Sequence, residues 1–356
     1  MKSSVFIGIC LFFCGVFGLQ NCRPAGAADA EKPREWLSEY GFFVGELNKL
    51  EPANGVLPYD LNTPLFSDYA QKARFVRLPE GQPARYDSTD VLDFPVGSIL
   101  IKNFFYNTDE RHPEKGRKII ETRLLIHQKN GWDARAYVWN EDQTDARLNN
   151  IGGIHPVEWT NAAGELVRLD YIVPNRNQCK GCHAFDGKLI PIGPKAGNLD
   201  RSFDYADGTE NQLVKWSQTG RLAGFDPQYP PRRYAVWNDP DSGNIHDRAM
   251  AYLDVNCGHC HNPHGAAYTS GLNLSLRQPS DIQLGIFKAP VATGKGSGGR
   301  AYTIVPGDPD ASILVYRMES LDPGAMMPEV GRRMIHKEGV ALIRQWIADM
   351  ESVSPN

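Results

Sequence analysis

Between residues 120 and 126 the chain alternates with period two: Ile120, Thr122, Leu124 and Ile126 interleave with Glu121, Arg123 and Leu125. That is the pattern of a strand with one face packed inward. Asn130-Gly131 follows, the dipeptide that a tight hairpin turn favours when both central residues need positive φ. The alternation then resumes over 132–139, with Trp132, Tyr137 and Trp139 read as sheet packing. Segments 75–78, 98–106 and 166–173 carry the same texture. Together they predict an antiparallel β-sandwich-like region over about 73–173.

Elsewhere the apolar period lengthens to that of a helix. Residues 36–50 predict an N-terminal helix, so that the β-rich domain with its helix spans 33–173. Residues 246–255 place Ala249, Tyr252 and Leu253 on one face, and 339–350 do the same with Leu342, Ile343, Trp346 and Ile347. Asp308 before Pro309 marks another helix start, as an N-cap followed by proline at the first helical position. Prolines 227, 230, 231 and 240 make 224–244 a linker. The expected organisation is α+β and multidomain: 33–173, then a segment 174–235, then a helical unit 244–350.

The N-terminus is an export signal. Lys2 precedes an apolar run over 5–18, too short for a comfortable membrane span and suited to a signal peptide. Two processing sites compete. Ala25-Gly26-Ala27 predicts removal of 1–27, whereas Leu19-Gln20-Asn21-Cys22 is a loose lipobox that would remove 1–21 and lipidate Cys22. Either way the chain is exported, as a periplasmic protein or a membrane-anchored lipoprotein. Its net charge is −4 and it has no basic block, which argues against nucleic acid as a partner. No later stretch could span a bilayer.

Seven cysteines complete the picture. Cys10, Cys14 and Cys22 lie in the export segment. The other four form two CxxCH runs, Cys179-Lys-Gly-Cys182-His183 and Cys257-Gly-His-Cys260-His261. Such a run attaches haem: the two thiols add across its vinyl groups and the adjoining histidine ligates the iron. One run is expected about 0.003 times by chance in a chain with this Cys and His content. A lone CxxC would also fit a redox dithiol or half a zinc site, but a following His in both copies argues against that. The expectation is two covalent haems, held by Cys179, Cys182, Cys257 and Cys260, with His183 and His261 on the irons. His259 and His264 read as exposed loop residues. Gly294-Lys-Gly-Ser-Gly-Gly299 lacks the order of a phosphate-binding loop and reads as a flexible one. The first haem has no obvious sixth ligand, since 184–245 contains neither Met nor His. His155, His127 and His246 are the candidates, unless that site is open; His127 otherwise reads as solvated.

The unit 244–350 resembles a class I cytochrome c: a helix leads into Cys257, another closes the unit, and Ala325-Met326-Met327-Pro328 lies ahead of that last helix. The resemblance implies Met327 as the distal ligand of the second haem, with Met326 its rival. As a whole the chain resembles exported bacterial dihaem cytochromes with a β-rich N-terminal half. The matching stretches are Leu92-Asp-Phe-Pro-Val-Gly97, Glu121-Thr-Arg-Leu-Leu125, Asn177-Gln-Cys-Lys-Gly-Cys-His183 and Asn256-Cys-Gly-His-Cys-His-Asn262. They span roughly 60–350. That likeness implies electron transfer between redox donor and acceptor proteins, with no catalytic residues required. Two other readings stand beside it: a dihaem peroxidase or oxidase with an open first haem, and a binding module whose haems play a secondary part.

Overall fold

The computed structural model describes residues 33–276 and 279–351; the segment expected to direct export, with Cys22, lies outside them. The fold mixes α and β, and all but one of its sheets are antiparallel. Its largest is a six-stranded meander of β1 (Val56–Tyr59), β2 (Gln71–Arg77), β3 (Ile99–Asn107), β4 (Arg117–Gln128), β5 (Gly131–Trp139) and β6 (Ala146–Asn149). Each strand pairs with its sequence neighbour. A long hairpin, β7 (Gly153–Thr160) and β8 (Leu166–Val173), folds onto one face.

The sheet's first face is largely apolar, with Asn103 and Thr122 buried there and hydrogen-bonded to each other at 2.6 Å. Phe75, Ile99, Ile101, Leu124, Ile126 and Tyr137 pack there against Leu37, Tyr40, Phe42 and Phe43. The segment supplying those last four is not the expected helix. It makes two short 3-10 turns, Leu37–Tyr40 and Leu47–Lys49, and a two-residue strand pairing between them and beyond. Gly41 and Gly45 take positive φ, and that reversal turns three aromatic rings onto the sheet. Burial of those rings outweighs weak helical propensity.

The β4–β5 turn also differs by one residue from its expected place. Gln128 pairs with Gly131, so Lys129 and Asn130 are the turn residues and both keep negative φ. Gly131 itself takes φ 111°, a value glycine adopts without steric cost.

The second face of the sheet is divided. At one end Phe104, Tyr106 and Ala136 pack under Val157, Trp159, Tyr171 and Val173 of the hairpin. At the other, Val76 and Leu100 pack with Leu199, Leu213 and Trp216 from the segment after the hairpin. Between those clusters the face is open and polar.

Beyond residue 245 the described residues form helices and loops joined by isolated bridges. Helix α1 (Arg176–His183) follows the hairpin, and α2 (Gln212–Gln218) lies in the middle segment. Then come α3 (Ile245–Leu253), α4 (Ile313–Glu319) and α5 (Lys337–Ala348). Ala249, Leu253, Ile343, Trp346 and Ile347 bury the α3/α5 contact. The contact is close because Gly339 has no side chain; a Cβ there would collide with Tyr252. None of the described helices is long and apolar enough to cross a membrane.

Buried polar contacts join the two halves. Lys195 Nζ pairs with Asp254 at 2.7 Å, and Phe66 N–H donates to Asn256 at 2.8 Å. Arg333 and Met334 N–H groups both donate to Asp68 at 2.7 Å. These contacts set where the two CxxCH runs stand relative to each other.

Candidate functional site

The first run sits on α1, whose start is well specified. Asn175 accepts from the Asn177 and Gln178 N–H groups, and Gln178 reaches back to the Asn175 N–H. That is a reciprocal capping box following Pro174. On the helix so begun, Cys179, Cys182 and His183 are spaced i, i+3, i+4 and share one face. The second run follows α3 through a wide turn over Asp254–Gly258 and closes with the His261 N–H donating to Cys257 O at 2.9 Å. Gly258 passes so near Leu274 that a Cβ would meet its carbonyl oxygen at 2.9 Å.

Both runs open onto one cavity of about 740 Å3, lined by all four cysteines, His183, His261 and Met327. Cys182 and Cys260 lie close enough for each thiol to perturb the other electrostatically, and Cys260 Sγ lies 3.8 Å from Gly181 O. The two attachment segments therefore touch. All four thiols are free. Among the described residues no three His, Cys, Asp or Glu side chains converge as metal ligands would, so the cysteines do not form a tetrahedral zinc cage.

The imidazoles share one tautomer. His183 Nδ1 is 2.7 Å from Ile190 O, which can only accept, so Nδ1 carries the proton. His261 Nδ1 is 3.0 Å from Ser270 Oγ. The Ser270 hydroxyl donates to Ala267 O at 2.7 Å, so its oxygen accepts from His261. In each ring Nε2 is left with a free lone pair, the arrangement an iron-ligating histidine needs. Burial pushes both imidazoles down to about 4, with the Arg317 charge adding to the effect at His261, so both are neutral at pH 7. Burial likewise pushes the Cys257 thiol up to about 12.

Met327 lines the cavity with His261, whereas Met326 is buried in the wall and does not line it. The Met327 backbone is clamped on both sides: its N–H donates to Arg317 O at 2.9 Å, and Arg332 Nε donates to its carbonyl at 3.1 Å.

The three histidines expected near the first run do not line the cavity. His127 stacks on Trp132 at 4.5 Å and contacts Phe94 O at 2.7 Å; it is half-buried rather than solvated. His246 accepts from Trp346 Nε1 at 3.2 Å, and His155 lies on the hairpin. Conversely, His259 does line the cavity, held by Val255 O at 3.1 Å, and is not an exposed loop residue. His264 is exposed, beside Asp186 at 3.0 Å.

The sequence reading missed the sheet side of the cavity. Arg74, Lys102 and Arg123 stand in direct cross-strand register on β2, β3 and β4, and all three line it. The signal was there: β3 reads Ile-Leu-Ile-Lys-Asn-Phe-Phe-Tyr, an apolar run with one lysine on the Leu100/Phe104 side. Ser270, Ile190 and His336 were missed too, because nothing local marks them.

No family model, no curated protein and no solved structure matches this chain.

Proposed function

We propose that this is an exported electron-transfer protein that holds two covalent haems in the common cavity. The middle segment would carry the first, and the helical unit, whose sequence resembles a class I cytochrome c, the second. The observation that carries this reading is the matched pair of imidazoles. Each follows two thiols at the attachment spacing, each has Nδ1–H tied to an acceptor, and each has Nε2 free at the same cavity. The residues fit the group: Cys179 and Cys182 would attach one haem and Cys257 and Cys260 the other. His183 and His261 would ligate the irons, and Met327 would be the further ligand to the iron that His261 holds.

Haem iron supplies reversible one-electron chemistry at a potential set by its axial ligands and burial. The chain's part is to fix the imidazole tautomers, exclude water and bring the attachment points into contact. Contact between Cys182 and Cys260 suits exchange between two carriers without an intervening relay. Redox donor and acceptor proteins are the implied partners. Cys22 is either removed with the signal or becomes the lipid anchor.

Denaturing mass spectrometry of protein matured in its exporting host tests the reading, because thioether bonds survive unfolding. The expected mass includes two haems. Cys179→Ala with Cys182→Ala should remove one, and Cys257→Ala with Cys260→Ala the other. Mature protein carrying no haem, or zinc in its place, overturns the proposal.

A further inference from the structure

The row Arg74–Lys102–Arg123 is unusual for the middle of a sheet face that is apolar at both ends. Burying like charges side by side costs free energy unless something opposes them. The outer two are opposed. Arg74 pairs with Asp60 at 2.6 Å, and Arg123 pairs with Glu121, whose side chain is fully buried, at 2.5 Å. Lys102 has no carboxylate within ion-pair distance among the described residues; its nearest partner is the Phe104 ring, 4.8 Å from Nζ to centroid. Burial first, and then Arg74, Lys72 and Arg123, hold its amine well below the ordinary lysine range. A neutral amine keeps a lone pair and is a competent metal ligand, which a guanidinium is not.

Lys102 lines the cavity that His183 lines, and the two lie within electrostatic reach of each other. The other two histidines that line it, apart from His261, are otherwise engaged. His336 contacts Tyr252 Oη at 3.0 Å through Nδ1 and faces Glu338 at 3.8 Å through Nε2. His259 is tied to Val255 O, and its neighbour in the cavity is Cys182. The histidines at 127, 155 and 246 are outside.

We propose that Lys102 supplies the sixth ligand of the first haem, from the sheet wall of the cavity that His183 also lines. The inference rests on the dihaem reading. It makes the first site closed and nitrogen-ligated, in contrast to the thioether-ligated second site. It also removes the structural basis for small-ligand chemistry at an open first iron.

The test is electron paramagnetic resonance of the ferric protein, with haem content checked on each sample by denaturing mass spectrometry. Wild type should show two low-spin haems. Lys102→Arg places a guanidinium there that offers no ligand, so it should change the g-values or spin state of one haem and leave the other untouched. Lys102→Ala should do the same, and Lys102→His should restore a low-spin signal with new g-values. If Lys102→Arg leaves both signals unchanged, Lys102 acts only as a charge and the assignment fails. It also fails if wild type already contains a high-spin haem. Two haem masses with either of those outcomes leave the dihaem reading intact; absence of haem sinks that reading instead. Should Lys102→Ala fail to fold, the arginine and histidine variants still decide.

Discussion

The two CxxCH segments carry the same motif and hold their histidines in the same tautomer, yet the walls facing them have little in common. Met327, on a clamped loop of the same helical unit, lines the cavity with His261. The cavity near His183 is instead bounded by a sheet whose strands precede it in the chain, and the side chains there are two guanidinium groups and the Lys102 amine. A covalent attachment motif thus governs the proximal side of a site and says nothing of the distal side. That side is whatever the surrounding fold delivers.

The largest expected effect on this contrast comes from removing a contact that joins the halves. Asp254 is buried with Lys195 and also accepts from Leu276 N–H at 3.1 Å. Asp254→Ala leaves a half-buried ammonium without its partner, a loss of roughly 3 kcal/mol. Chemical denaturation followed by haem absorbance should show the midpoint falling. If the midpoint holds, the Lys195–Asp254 pair does not position the two halves.

Next is the ligand contrast itself. Met327→His should leave the second iron six-coordinate but lower that haem's potential, since imidazole donates more strongly than a thioether and stabilises ferric iron. Met327→Ala should open the site to carbon monoxide, while Met326→Ala should do neither. Spectroelectrochemistry reads all three. Loss of the thioether signature in Met326→Ala and its retention in Met327→Ala would shift the ligand by one residue.

The seam responds to pH through His336, which stacks on Phe66 at 4.2 Å from the β-rich half and contacts Tyr252 of α3. Burial lowers it from 6.5 to about 4. The unfolded chain therefore takes up its proton first as pH falls. The stability His336 contributes is full above about 6.5 and is lost progressively toward 4, by on the order of 3 kcal/mol. Urea unfolding across that window should show the slope, and His336→Gln should flatten it. A slope that survives the substitution would place the responsive group elsewhere.

The smallest expected effect concerns the His261 tautomer. Ser270→Ala removes the acceptor of Nδ1–H, which weakens donation from the ring to the iron and raises the second haem's potential. The change should be smaller than that of Met327→His and opposite in sign. A downward shift would mean that Ser270 does not accept from His261.

Much of the local structure is legible in the residues. Strands near 98–106, 132–139 and 166–173 follow from alternation, because one face of each is buried and side chains alternate with period two. The α3 and α5 helices follow from their apolar faces. The 36–50 segment does not: its aromatic residues are spaced as a helix would allow, and only the sheet beneath them pulls them out of it. The Lys129-Asn130 turn is similar, since Gly131 tolerates positive φ either inside the turn or just after it.

For the site, the sequence alone determined the proposed attachment cysteines and their histidines, because thioether spacing is a relation among five consecutive residues. Met327 was reachable through its position before the last helix. Tertiary structure alone decided that both runs share a cavity, that Cys182 meets Cys260, and which nitrogen of each imidazole is free. It also decided that Lys102 lines the cavity with His183, whereas His127, His155 and His246 do not. Pairing of β2, β3 and β4 creates the cation row, and packing of the hairpin and middle segment at either end leaves it uncovered. Those relations join residues far apart in the chain, and side-chain spacing along one strand cannot encode what another strand brings opposite it.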